Sequence, residues 1–114
     1  MTFESQFRFR PEEWGLLESV LNEVLNGFEV PDFQKTLGIE KGGLDKLLKS
    51  LQMLDGKEEI TLDLSQTQAF RNALSEAMRE LGIDEFRTRT GYDFAQGNAA
   101  LRKLDNMLGD TSLG

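Results

Sequence analysis

The feature that most constrains this chain is a similarity between its two halves. When the sequence is shifted by 53 residues without gaps, positions 7–54 fall on positions 60–107. Six of the aligned pairs are identical, and 16 aligned positions are apolar in both copies. Random placement of the same number of apolar residues gives about 8 such positions, so the excess indicates an internal duplication.

Two unrelated amphipathic stretches are the alternative interpretation, because any two helices with an apolar stripe can be slid into phase. The order of the predicted elements favours duplication, since each half reads as a strand, a helix, a short acidic segment with a Phe and a Gly, and a last helix. We therefore predict a single domain over residues 1–114, made of two similar halves at about 3–54 and 58–108, with a flexible tail at 109–114.

Alternation of apolar and polar residues predicts one short strand in each half, with one buried face. We expect the two strands to pair antiparallel, with a parallel arrangement through a helical crossover as the alternative. The alternating apolar positions are Phe3, Phe7 and Phe9 in the first half and Ile60, Leu62 and Leu64 in the second.

Apolar residues at helical spacing predict two helices in each half. The first covers about residues 11–26, and its counterpart begins at a capping box of Ser65 and Gln68 and ends at Gly82. A connector follows each of these helices, and we expect a single helical turn to carry its Phe (Phe33 or Phe86) into the core. A last helix completes each half, with apolar stripes at Leu44, Leu47, Leu48, Leu51 and Leu54 and at Ala100, Leu101, Leu104, Met107 and Leu108.

These elements predict an α+β fold of the form (β-α-α) twice. In this fold the helices pack on one face of a two-stranded sheet, and a pseudo-two-fold axis relates the halves. Two strands alone form a marginal sheet, so we expect that neither half folds without the other.

The composition excludes many kinds of catalytic site. The chain contains no His and no Cys, which removes zinc fingers, disulfide scaffolds, His-held haem and nucleophilic catalysis by Ser-His-Asp or Cys-His. No phosphate-cradling glycine motif is present either. We expect no cofactor and no metal, although Glu23 and Glu76, at equivalent repeat positions, can share a metal near the axis. The alternative for this pair is a solvated helix face or a hydrogen bond between helices.

The charge balance constrains partners and location. Twenty acidic and 13 basic residues give a formal charge of −7, which argues against nucleic-acid binding and favours a basic protein partner. No apolar run approaches the roughly 20 residues of a membrane span. The first residues have neither the basic nor the apolar region of a secretory signal, so the cytoplasm is the expected location.

Six residues are candidate binding positions. Arg87, Arg89 and Tyr92 flank a Gly before the last helix and can hold an anion there, or the arginines can pair with nearby acids. Trp14 has no apolar counterpart in the repeat and is either an interface anchor or a core residue. Arg8 and Arg10 lie on the polar face of the first strand, where they can oppose Thr61 and Asp63.

Three functions follow as hypotheses. The leading one is a non-catalytic, acidic cytoplasmic protein that binds a protein partner as an inhibitor, immunity-type protein or adaptor. The second is a small-ligand or anion-binding protein, with enzymatic action on a phosphorylated substrate as one form of it. The third is a self-associating structural protein, for example a homodimer formed through the free strand edge.

Overall fold

Two antiparallel strands and five α-helices make up the described part of this α+β chain, which is mostly helical. A computed structural model describes residues 6–54 and 56–112. The α+β class predicted from the sequence is confirmed. The elements in chain order are β1 (Gln6–Phe9), a 3-10 turn (Pro11–Glu13), α1 (Trp14–Asn22), a π-helical turn (Glu23–Gly27), α2 (Phe33–Leu37), α3 (Lys41–Leu54), β2 (Ile60–Asp63), α4 (Leu64–Thr90) and α5 (Phe94–Ser112).

The sheet pairs one strand from each half of the chain. The strands run antiparallel, as predicted, with Phe7 opposite Leu62 and Phe9 opposite Ile60. All four of these side chains are at most 9% exposed, whereas the intervening residues face solvent. The alternation in the sequence therefore identified the buried face. The prediction that Phe3 belongs to the first strand lies outside the described residues.

A shared hydrophobic core covers that face. Buried residues come from both strands and from all five helices. Phe9 and Phe70 meet edge to face with ring centroids 6.3 Å apart, and Phe86 meets Phe94 in the same way at 5.9 Å. Such aromatic pairs stabilise a core beyond the area that they bury. The core thus joins the β1 side of the molecule to α4, and α4 to α5.

Helix α4 begins earlier than the sequence pattern predicts. Asp63 is its N-cap, because its carboxylate accepts from the Gln66 amide at 2.7 Å while the Gln66 side chain accepts from the Asp63 amide at 3.0 Å. The capping box predicted at Ser65 and Gln68 is therefore wrong. Strand β2 passes directly into the helix, so Leu64 is the first helical residue and not a strand residue.

The same helix is interrupted at the predicted place. Gly82 has φ 72° and ψ −177°, a conformation that is essentially restricted to glycine. The chain returns to helical conformation immediately afterwards and continues to Thr90. The connector that contains Phe86 is therefore a two-turn helical segment, and Phe86 is fully buried in it.

Internal duplication and the pseudo-two-fold axis stay predictions. Each half contains a strand, a helix, a short helical segment and a last helix. Leu21 and Leu74, which are aligned by the shift of 53, are both completely buried. Phe33 and Phe86 are also aligned but differ, since Phe33 is only half-buried and lies under the Lys41 ammonium at 5.9 Å.

The C-terminal end of the chain is helical further than the sequence suggests. Helix α5 extends to Ser112, into the stretch 109–114 for which a flexible tail is predicted. Residues 113–114 lie outside the described residues. None of the helices described here combines the length and the apolar character that a membrane crossing requires.

Candidate functional site

Arg89 joins two distant parts of the molecule. Its Nη1 donates to Glu23 Oε1 at 3.2 Å and to the Gly27 carbonyl at 3.0 Å, and its Nε donates to Glu85 Oε2 at 3.2 Å. These hydrogen bonds, first that with Glu23 and then that with Glu85, raise the pKa of Arg89 above its ordinary value. The guanidinium thus stays charged while it connects the end of α4 to the π-helical turn after α1.

The three residues of the predicted anion site have separate surroundings. Arg87 is exposed. In a helix its side chain is rotated about 200° around the helix axis from that of Arg89. Tyr92 is half-buried, and its hydroxyl lies against the backbone of Gly15 in α1. The alternative interpretation, in which the arginines pair with nearby acids, describes Arg89. Its partners are the nearby Glu85 and the distant Glu23.

Trp14 makes a specific contact within the chain. Its indole Nε1 donates to the Leu51 carbonyl at 2.6 Å, and its ring lies beside Gly56, where an added Cβ would be 3.4 Å from the ring atoms. The side chain is half-buried. It therefore holds the end of α3 against the start of α1, and its role as an interface anchor stays a prediction.

The two arginines near the first strand are exposed. Arg8 lies opposite Thr61, as predicted, and approaches Glu59 at 3.8 Å with both side chains more than half exposed. Such pairs contribute little to stability. Arg10 follows the strand, so the prediction that it opposes Asp63 is wrong, because Asp63 pairs with Gln6. The backbone amide of Arg10 donates to Glu13 Oε1 at 3.0 Å at the start of the 3-10 turn.

The two carboxylates that the shift of 53 residues aligns, Glu23 and Glu76, are both buried and both paired. Glu23 is 9% exposed and is bound by Arg89, while Glu76 is 8% exposed and is bound by Arg79 in the next helical turn. The Glu23 contact is a hydrogen bond between helical segments, which is one of the interpretations open for this pair. Within residues 6–54 and 56–112, no group of three or more acidic side chains is placed to hold a metal ion.

A groove lies between the 3-10 turn, α1 and α5. Its volume is about 260 Å³. At one edge the Lys103 ammonium contacts both carboxylate oxygens of Glu13 at 3.0 Å, while Glu12 is exposed and makes no ion pair within the described part of the chain. The lining residues are Glu12, Glu13, Leu16, Tyr92, Gln96, Ala99, Ala100 and Lys103.

Among the residues that line this groove, Tyr92 is the one that the sequence analysis proposes as a binding residue. The walls come from residues 12–16 and 92–103, which are far apart in the chain. Because no local motif connects the two segments, only their contact in the folded chain reveals the groove.

No protein-family model matches this chain, and comparison with curated proteins and with solved structures finds no match.

Proposed function

We propose that this protein is a non-catalytic binding protein whose groove beside α5 holds a basic segment of a protein partner. The observation that carries the proposal is the exposed Glu12 carboxylate at the edge of a groove with apolar walls. A role as inhibitor, immunity-type protein or adaptor in the cytoplasm is part of this proposal.

The walls suit the stem of a long cationic side chain. Leu16, Ala99 and Ala100 are apolar, and the aromatic ring of Tyr92 adjoins them. The methylene groups of an arginine or lysine pack along such walls while the charged head reaches water or a carboxylate. The face of an aromatic ring also attracts a guanidinium. The groove thus offers both an apolar slot and a negative group.

The charge of the chain segment that contributes Glu12 and Glu13 to the groove supports a basic partner. Residues 11–34 contain six carboxylates and neither Lys nor Arg. Of these carboxylates only Glu13 and Glu23 form ion pairs within the described residues. Since Glu13 neutralises Lys103, the cation at the groove does not oppose a basic ligand. A negative surface of this kind raises the rate of association with a basic partner.

The states of the other candidate residues support binding over catalysis. Arg89, one of the two arginines of the predicted anion site, is already held by three acceptors of the chain. The side chain of Arg87 projects from the helix in another direction. We therefore propose no reaction at Arg87 and Arg89.

A titration followed by nuclear magnetic resonance tests this proposal. The probe is a hexa-arginine peptide added to the labelled protein, with a hexa-glutamate peptide as the control. We expect the largest amide shift changes at Leu16, Tyr92, Ala99 and Ala100. Shift changes spread evenly over the acidic surface would contradict the proposal, because they indicate unspecific attraction between charges.

Matched variants separate the groove from general charge. Glu12→Gln is expected to weaken binding about two- to fivefold, the range for one exposed ion pair, while Glu58→Gln removes the same charge elsewhere and leaves binding nearly unchanged. Ala99→Phe fills the groove and is expected to abolish the focused shift changes, and Asn98→Phe, at an exposed position on the other side of the same helix, is its control. Equal effects of the paired variants would exclude the groove as the site.

A further inference from the structure

Two large apolar side chains are exposed in the described part of the chain. Met53 is 87% exposed near the end of α3, and Ile83 is 67% exposed just after the interruption of α4. The residue aligned with Ile83 in the first half, Val30, is 8% exposed. The exposure of Ile83 is therefore not a general property of this position in the repeat.

Met53 has basic surroundings on its helix face. Lys46 and Lys49 precede it by seven and four residues, which places all three side chains on one side of α3. Both lysines are exposed. Lys49 binds Asp45 at 2.9 Å, whereas Lys46 makes no ion pair within the described residues. We call Lys46, Lys49 and Met53 the basic patch.

Ile83 has acidic surroundings. Glu80 and Asp84 lie on either side of it in the sequence, both are exposed, and neither forms an ion pair within the part of the chain that the structure describes. We call Glu80, Ile83 and Asp84 the acidic patch. Arg87, one turn after Ile83, is an exposed cation beside this patch.

The chain segments that carry the two patches are bound at opposite ends of the stretch formed by α1 and the π-helical turn. The Leu51 carbonyl, two residues before Met53, is bound by Trp14 at the first residue of α1. Arg89, six residues after Ile83, binds the Gly27 carbonyl at the end of the π-helical turn. A helical rise from Trp14 to Gly27 spans about 20 Å, which separates the points at which the chain segments of the two patches are bound.

We propose that the basic patch of one copy binds the acidic patch of a second copy, so that the protein associates head to tail. Each patch combines one exposed apolar side chain with charges opposite to those of the other patch. This complementarity indicates that each patch binds a second copy of the chain. The proposed contact does not involve the groove beside α5. A contact between two different surfaces leaves one patch free on each end of the pair, so addition of further copies continues.

The average mass in solution, measured by sedimentation over a range of concentrations, tests the proposal. We expect the mass to rise from the monomer value of 12.9 kDa past that of a dimer as concentration increases. A constant monomer mass, or growth that stops at two copies, would overturn head-to-tail association.

Charge reversals identify the surfaces. Met53→Glu and Ile83→Lys are each expected to remain monomeric, because each destroys one patch. An equal mixture of the two variants is expected to form one-to-one dimers and nothing larger, since each variant keeps the patch that the other has lost. Absence of these mixed dimers would overturn the proposal.

Two further variants act as controls. Gln34→Glu and Gln34→Lys place the same charges at an exposed position on α2 and are expected to leave association unchanged.

Arg87→Gln removes the cation beside the acidic patch and is expected to strengthen association at least twofold. Weaker association of Arg87→Gln would count against the assignment of the acidic patch. Circular dichroism of every variant verifies that the fold is intact.

Discussion

At the scale of single residues, Gly15 is a position where one added methyl group has a large effect. A Cβ at this position would overlap the Tyr92 hydroxyl. It would also lie 3.3 Å from Tyr92 Cζ, the ring carbon bonded to this hydroxyl. We expect Gly15→Ala to lower the free energy of unfolding by about 1–3 kcal/mol, the usual range for overpacking. Urea denaturation measures the effect.

A second substitution identifies the cause. In a Tyr92→Phe background the hydroxyl is absent, so Gly15→Ala is expected to cost much less and to benefit from the higher helix propensity of alanine. If Gly15→Ala costs the same in both backgrounds, the contact between α1 and Tyr92 does not explain the need for glycine.

Partners of individual side chains were the least predictable part of the candidate site. The sequence marks Arg89 as either an anion ligand or an ion-pair residue, but its partner Glu23 is 66 residues away in the chain. Trp14 donates to a backbone carbonyl, and every residue has a carbonyl, so no sequence pattern identifies Leu51 as the acceptor. Local spacing predicts only the contacts that are themselves local, such as that between Arg89 and Glu85.

At the scale of elements, two glycines in open space are expected to respond to alanine in opposite directions. Neither Gly82 nor Gly42 has an atom within 4 Å of an added Cβ. Gly82 has a positive φ at the interruption of α4, so Gly82→Ala is expected to lower the free energy of unfolding by about 1–3 kcal/mol.

Gly42 is the matched control, because it lies in the first turn of α3 without a positive φ. Gly42→Ala is expected to raise the free energy of unfolding by up to about 1 kcal/mol. Thermal denaturation compares the two variants. A stabilising effect of alanine at both positions would show that α4 does not need its interruption.

Element types followed from the sequence more reliably than element boundaries. Period-two alternation identified both strands and their buried faces, since burial on one side of a sheet imposes that pattern directly. The sequence pattern predicts the N-cap of α4 two residues too late. Ser65 and Gln68 have the same capping chemistry as the true pair, Asp63 and Gln66. The choice between two plausible caps depends on where β2 ends, which the long-range pairing with β1 determines.

At the scale of the whole molecule, the fold depends on contacts between its halves. The only partner of β1 in the described sheet is β2, and α1 packs against α4. We expect peptides of residues 1–55 and 56–114 to be largely unfolded when separate and to gain helical structure when mixed. Circular dichroism measures this, and cooperative thermal unfolding of either peptide alone would contradict it.

The groove belongs to this scale as well, and that is why the sequence did not reveal it. Its walls come from the 3-10 turn with α1 and from α5, which lie near the two ends of the chain. The charge that supports its proposed use was visible in the sequence, since net charge does not depend on the fold. The packing of α5 determines where this charge lies beside the apolar walls of the groove.

The position of Trp14 makes the unlabelled protein suitable for optical measurements. It is the single tryptophan of the chain, and its indole lies at the contact between the start of α1 and the end of α3. Indole emission moves to longer wavelengths when the ring becomes hydrated. Stopped-flow fluorescence therefore reports the loss of the contact between α1 and α3 during unfolding.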